Sequence, residues 1–412
     1  MRCYFDNHRQ LNVDSVKQIN SIRSFNDFEF RYCHPDLSFT YSTTYDSQGI
    51  YFVEVSTHAH LWCSVNHHKD SFNLIESIPQ HVIEAAQLKK IRIIIIAVVE
   101  GDSFGRSDDI DAYKCLTSAI HSLELPQYSV LIISGNLNAN SQYLEWCKKF
   151  NEIPWIEFSE GIDWTGQQNW TKQTDPIFSN SITNAKFLYN SLNRAHRSHR
   201  SEHLYFLAQN NLLTNGLVSG GIWFNDLPGY DKRSDPILPP EYIDAHVDSY
   251  RSVLREYYPR TVDSNSTSLR DNHFAGISNL DIFKDSLLTV STESHFNVDL
   301  GLFITEKTFR PIAMGHPFIV LGQPNLLKKL QSFGFKTDFI DTSYDEILDN
   351  KKRFEKFHES FLSWINDDKE KYFAKWQLYV EYNLYVYQHT NFRKLYIGDA
   401  VERTTRYFKE SS

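Results

Sequence analysis

Thr305, Glu306 and Lys307 stand together between an apolar run, Leu302-Phe303-Ile304, and an amphipathic stretch, Thr308 to Met314, that breaks at Gly315. A second apolar run, Pro317 to Leu321, ends at Gly322. The order reads as loop, helix, turn and strand, the second half of a βαβ-type unit. The polar triplet falls at the helix N-terminus, where free backbone N–H groups and the helix dipole favour an anion. Glutamate is common in a first turn, so a solvated helix start is the plain alternative. Lysine is not favoured there electrostatically, and a bound anion accounts for it better. A mobile ammonium beside a carboxylate that can accept hydrogen bonds from sugar hydroxyls suits a nucleotide diphosphate sugar.

Other candidates flank this stretch. Asn193-Arg194-Ala195-His196-Arg197-Ser198-His199-Arg200 places three arginines between an expected strand and an expected helix. Arginine forks grip phosphate oxygens in bidentate fashion; the alternative is an exposed basic loop. Glu293 ends a strand and opens a polar loop in which His295 or Phe296 could stack on a base. Glu100 closes the most buried expected strand, Ile91 to Val99, and ligands of open α/β sheets bind beyond that end. Asp102 is its substitute, and a plain turn acid is the competing reading of both. His58, His60, His67 and His68 also cluster, but no carboxylate or cysteine completes a ligand set, so they read as strand and turn residues. Asp109-Ile110-Asp111 sits at a helix start, where acids are expected anyway. No metal site is expected.

The stretch around Lys307 resembles the signature of the α1,3-fucosyltransferase family, with related patterns in exostosin-like and viral sugar transferases. Ile304, Thr305, Glu306, Lys307, Ala313, Gly315, Pro317, Ile319, Val320 and Gly322 follow its order. Ser291-Thr292-Glu293-Ser294 is similar to a second element of the family, with Ser294-His295 replacing its Asn-Ser, and Ser191 to Arg200 to a third. The resemblance spans roughly Phe187 to Phe335. It implies that Lys307 contacts the donor phosphates, Glu306 the ribose hydroxyls and Glu293 the base or ribose. It implies that Arg194 or Arg197 grips the diphosphate and that Asn193 shapes the loop. Asn193, Arg194, Arg197, Glu293, His295, Thr305, Glu306 and Lys307 are thus the donor-binding candidates. An inverting sugar transferase also needs a group to take the acceptor proton, and Glu100 or Asp102 is placed for it.

The elements that must position these residues alternate. Residues 79–90 suit a helix, Ile91 to Val99 a strand covered on both faces, 109–123 a helix, Tyr128 to Ser134 a strand, 140–151 a helix and Ile153 to Phe158 a strand. Further on come a strand from Phe187 to Leu192, helices at 198–213 and 241–257, a strand at 287–292, the motif helix 306–314, a strand at 317–321, a helix at 324–333 and a short strand, Phe339 to Asp341. Residues 344–388 suit two helices whose aromatics form a packing stripe. The expected fold is α/β and GT-B-like, two Rossmann-like domains with a cleft between them. Residues 1–160 form an acceptor-side domain, 161–185 a linker, 186–343 the nucleotide-sugar-binding domain and 344–412 C-terminal helices.

The 412 residues carry a net charge of −9, which argues against a protein that coats nucleic acid. Five cysteines, an odd number without a CxxC pair, fit a reducing cytoplasm rather than a disulfide framework. No signal peptide or membrane span is expected. Both Gly-rich phosphate loops, GxGxxG and GxxxxGK[ST], are absent. The expectation is an inverting, metal-independent glycosyltransferase that needs no cofactor beyond its nucleotide-sugar donor and acts on a glycan, protein or modified-DNA hydroxyl. A viral DNA-modifying sugar transferase and a catalytically silent nucleotide- or sugar-binding module are the alternatives.

Overall fold

The computed structural model describes residues 2–5, 38–41, 47–54, 63–65, 71–73, 75, 78–97, 112–162, 175–193, 197–220, 262, 280–297 and 301–410. The chain divides into two compact units.

The first unit takes residues 1–163, 299–303 and 391–412. Its sheet is built from β1 (Arg2–Phe5), β2 (Ser38–Tyr41), β3 (Gly49–Glu54), β6 (Ile91–Ala97), β7 (Val130–Ser134) and β8 (Ile156–Glu160), all parallel in the order β2-β1-β3-β6-β7-β8. A separate antiparallel pair joins β4 (Cys63–Val65) to β5 (Ser71–Asn73). β6 is β-branched at every position from Ile91 to Ile96 except Arg92 and is buried throughout that stretch, as a central strand covered on both faces requires. One face is covered by helices α1 (Gln80–Gln87), α2 (Ala112–Ser122) and α3 (Ala139–Phe150). There Ile93, Ile95 and Ile132 meet Val82, Leu116, Ile120 and Tyr143 in one core. Each such isoleucine contributes about 1.5–3 kcal/mol by leaving water.

Among the described residues seven more helices precede the C-terminal one, α11 (Phe392–Glu410), which belongs to this first unit. It packs against β7 and β8. Arg92, buried on β6, pairs with Glu157 of β8, and Glu157 also holds Arg403 of α11 at 2.6 Å. The expected block of C-terminal helices at 344–412 is therefore split between the units. The cause is a polar anchor on the sheet that accepts the last helix.

The second unit takes residues 164–298 and 304–390. Its strands are β9 (Phe187–Asn193), β10 (Gly216–Gly220), β11 (Ser286–Thr292) and β12 (Phe318–Leu321), all parallel in the order β10-β9-β11-β12. The helices are α4 (Phe178–Asn184), α5 (Ser198–Gln209), α6 (Asp281–Lys284), α7 (Glu306–Ala313), α8 (Leu326–Ser332), α9 (Asn350–Asn366) and α10 (Glu370–His389). From β9 the chain builds outward to β10, then returns to the other side of β9 for β11 and β12. The order reverses between β9 and β11, and both strands end on the same edge. Doubly wound sheets bind ligands at this kind of switch point.

Three expectations change here. Residues 175–184 are not linker: Phe178 is fully buried, and Ile177 N and Phe178 N donate to Met314 O and Gly315 O. Gly315 needs its glycine, because its φ is +58° and a Cβ would lie 2.6 Å from Pro176. Phe339 to Asp341 is not a strand; Phe339 O instead accepts from Trp376 Nε1 at 2.7 Å. β10 was not expected, its Leu217-Val218 pair being too short to show a period. The aromatic stripe is core for Phe357, Phe361, Trp364 and Trp376, whereas Tyr382 is exposed. The expected helix at 241–257 lies outside the described residues. Among those residues no helix is long and apolar enough to cross a membrane.

Candidate functional site

Helix α7 starts where the Thr305-Glu306-Lys307 triplet predicts. Thr305 is its N-cap, with an extended backbone and a hydroxyl that accepts from Lys307 N at 3.2 Å. Pro311 lacks an N–H, so Lys307 O has no donor one turn along the helix. Ser291 of β11 fills that gap, its hydroxyl donating to Lys307 O at 3.0 Å. The helix is thereby fixed to the strand that ends at the switch point.

Glu293, the residue after β11, is fully buried. Its Oε1 accepts from Thr305 N at 3.1 Å and from the Thr308 hydroxyl, and its Oε2 from the Thr305 hydroxyl at 2.6 Å and Ser294 N at 3.2 Å. This corrects two expectations. The anion at the α7 N-terminus is the protein's own carboxylate, and Glu293 is an internal cap rather than a group turned toward a base or ribose. A carboxylate satisfies the helix dipole and the orphan donors of the first turn as a phosphate would.

Glu306 is also buried, its Oε1 accepting from Lys307 Nζ at 2.8 Å. Burial alone would raise its pKa, but the Lys307 ammonium and the Arg310 guanidinium outweigh that and hold it below the usual carboxylate range. The Lys307 side chain keeps 21% of its surface in solvent and donates also to the Ser294 hydroxyl at 3.3 Å. On the other side of the switch point, half-buried Arg197, the residue before α5, donates from Nε to Ser294 O at 3.3 Å. Two cations from segments 110 positions apart in sequence thus meet on one serine at the edge where β9 and β11 end. Nothing in the sequence around Ser294 marks it as the meeting point.

The α5 helix is buried over most of its surface, including His199, Arg200 and His203. Arg200 donates from Nη2 to Thr292 O at 3.0 Å and to Glu293 O at 2.8 Å, and His199 Nε2 donates to Glu293 O at 2.8 Å. Burial and the neighbouring Arg200 charge keep the His199 imidazole neutral, its pKa well below the usual histidine range. Glu202, one residue before His203, is a half-buried carboxyl that burial pushes up to about 7. Nothing in its spacing announced that.

Phe296 cannot stack on a base. One face of its ring lies against His199, 5.4 Å between centroids, and the Arg353 guanidinium sits 4.3 Å from its centre. His295 is half-buried in the same loop and remains the stacking candidate. Asn193 is fully buried; its amide donates to Ser191 Oγ at 2.9 Å and accepts from Thr292 Oγ1 at 2.7 Å, so it ties β9 to β11 and does not reach a donor. Arg194, Glu100, Asp102 and the histidines at 58, 60, 67 and 68 lie outside the described residues. No protein-family model and no curated protein matches the chain.

Proposed function

We propose that the chain is a glycosyltransferase that uses a nucleotide-sugar donor, and that its second unit binds the nucleoside diphosphate at the β9–β11 edge. One observation carries the reading: Arg197 and Lys307 converge on Ser294 at a topological switch point of a parallel sheet. Arg197 bonds the Ser294 carbonyl and Lys307 its hydroxyl, and these two cations, Lys307 paired also with Glu306, bring N–H donors of two kinds to one place for the oxygens of a phosphate group. The internal capping of α7 by Glu293 leaves the phosphates to these side chains, and Glu306, the carboxylate nearest Lys307, faces the sugar hydroxyls of the nucleotide. The resemblance of the Thr305 to Gly322 stretch to fucosyltransferases favours a sugar as the group transferred. In this reading the two parallel-sheet units correspond to the halves of a GT-B enzyme. The transfer inverts the anomeric centre, and basic side chains stabilise the leaving diphosphate.

A thermal-shift screen of the full chain against GDP, UDP, ADP and CDP and their sugars tests it. A ligand of the folded state raises the melting temperature by mass action. One nucleoside diphosphate should stand out, and its sugar should be consumed slowly even without acceptor, releasing the diphosphate. Uniformly flat shifts across the set reject the nucleotide site. Binding without any release favours the silent binding module.

A further inference from the structure

Beneath the β9–β11 edge, five buried side chains form a hydrogen-bond string that begins at a main-chain carbonyl. His358 of α9 places Nδ1 2.8 Å from Phe354 O, and its Nε2 lies 2.9 Å from Nδ1 of His203 on α5. His203 Nε2 is 3.4 Å from Ser191 Oγ, which is 2.9 Å from Asn193 Nδ2, and Asn193 Oδ1 is 2.7 Å from Thr292 Oγ1.

The direction of every bond follows from the first. A carbonyl only accepts, so His358 carries its proton on Nδ1. Both rings are fully buried in an aromatic box of Phe206, Phe354, Phe357 and Phe361, where a charged imidazole is disfavoured. Burial pushes His358 down to about 3, and burial with the neighbouring His358 and His199 holds His203 well below its usual range. A neutral His358 with Nδ1–H offers a lone pair at Nε2, so His203 must donate from its own Nδ1. The lone pair of His203 Nε2 then takes the Ser191 proton. Ser191 has no second proton, so the Asn193 amide must turn its NH2 toward Ser191 and its oxygen toward Thr292. Thr292 donates in turn. An inverted amide would set two acceptors, His203 Nε2 and Asn193 Oδ1, against the single Ser191 proton and leave one of them without a donor in a site closed to water.

We propose that Ser191, His203 and His358 are positioning residues: a hydrogen-bond string of one polarity that sets the Asn193 amide and locks β9 to β11 beneath the nucleotide edge. The string deepens the reading above and rests on it in one respect, that this edge binds nucleotide. The tautomers stand without it. Both rings adopt the Nδ1–H form, and the order of donors runs from Thr292 inward to Phe354. No group in the string meets the ligand; it acts through Asn193 and Thr292.

Long-range proton–nitrogen NMR of the full chain with labelled histidine, at pH 7, reads the tautomers directly. The signals of His203 and His358 should be those of neutral rings with the proton on Nδ1 and should vanish as a pair in His203→Gln/His358→Phe, while that of His389, whose Nδ1 donates to Tyr385 O at 2.8 Å, should remain. In His358→Phe alone, His203 loses its acceptor and should move its proton to Nε2. In Ser191→Ala both rings should keep Nδ1–H, while affinity for whichever of GDP, UDP, ADP and CDP binds, measured by calorimetry, should fall about five- to tenfold as the Asn193 amide loses the bond that fixes it. His203→Gln restores a donor and an acceptor and should bind within about twofold of the parent. That variant also keeps the test alive should His358→Phe not fold. Either ring found with Nε2–H, or doubly protonated, overturns the string. Unchanged affinity in Ser191→Ala overturns the positioning role. A parent chain that binds none of GDP, UDP, ADP and CDP overturns the nucleotide reading, and the tautomers then decide the string alone.

Discussion

The Glu293 carboxylate grips Thr305 twice, accepting from its amide at 3.1 Å and from its hydroxyl at 2.6 Å. The strand-end acid is thereby joined to the cap of the helix that carries Lys307. The two residues act as one hinge point of the site, and their chemistry separates a structural role from a ligand-binding one.

Glu293→Gln should lose stability rather than affinity as its first effect. The substituted side chain keeps one accepting oxygen and turns an NH2 toward donors that now have nowhere to go. Hydrogen bonds to a buried charge contribute about 1.5–3 kcal/mol each, so a loss of about 3 kcal/mol is expected. Chemical denaturation gives the value directly. A parent-like midpoint together with lost nucleotide binding would return Glu293 to the role of ligand.

Lys307→Ala should weaken nucleoside diphosphate binding by about 1.5–3 kcal/mol, roughly 10- to 150-fold. It also leaves the buried Glu306 with Arg310 as its remaining compensating charge. The folded pKa of Glu306 is depressed, so its stabilisation is present above the unfolded carboxylate pKa and is lost as pH falls through the folded value. In Lys307→Ala that contribution shrinks. Adding Glu306→Gln should recover stability but not affinity, as calorimetry and melting curves on the same samples will show. Parent-level affinity in Lys307→Ala would remove the lysine from the site.

How much of this was legible in the sequence follows from local chemistry. β6 announces itself because six of the seven positions from Ile91 to Ala97, all but Arg92, hold apolar residues suited to a strand with no wet face. The start of α7 is legible because a threonine cap and an acidic first turn coincide with a change of period. The role of Glu293 is not, since a strand-end acid reads the same whether it points inward or outward. Its inward turn depends on Thr305 and Thr308, 12 and 15 positions away. The return of α11 to the first unit hinges on Arg92, an apparent defect in an apolar strand whose partners, Glu157 and Thr404, are 65 and 312 positions distant. Long-range partners of this kind leave no periodic trace.

His316 gives the fold an acid limit. It is buried beside β11, its Nε2 donating to Ser286 O at 2.8 Å, and burial pushes its pKa down to about 4. The unfolded chain takes a proton near pH 6.5, the native ring only near 4. Stability from this site is therefore complete above pH 6.5 and is lost as pH falls through that window, by about 3 kcal/mol in all. His316→Gln should flatten the dependence of the denaturation midpoint between pH 7 and 4.5. A slope unchanged in the variant would place the acid sensitivity elsewhere.

Glu202 should act with the opposite sign. Its native pKa of about 7 lies above that of a free carboxyl, so the native state holds a proton that the unfolded chain has released. Stability falls as pH rises from about 4.3 toward 7 and then levels. Glu202→Gln should be more stable than the parent at pH 8, by on the order of 1–2 kcal/mol, and indistinguishable from it at pH 4. Equal stability at pH 8 would mean that the carboxyl ionises freely.

The catalytic base is the remaining prediction, and it rests on chain position alone. Glu100 follows β6, the central strand of the first unit, and in parallel sheets groups beyond the carboxyl ends of such strands meet substrate. If it takes the acceptor proton, Glu100→Gln keeps shape and donor affinity but cannot accept that proton near neutral pH. Turnover should fall about 10²–10⁴-fold with the donor dissociation constant unchanged. Asp102→Asn is the paired measurement, because the two acids are separated by one glycine and both follow the same strand in sequence. A large loss in Asp102→Asn with near-parent turnover in Glu100→Gln moves the role by two positions. A large loss in His60→Ala, with both acids neutral to substitution, moves it to the histidine segment. Parent-like turnover in all three variants would leave the first unit as a platform that holds the acceptor, with the proton taken by a group of the second unit.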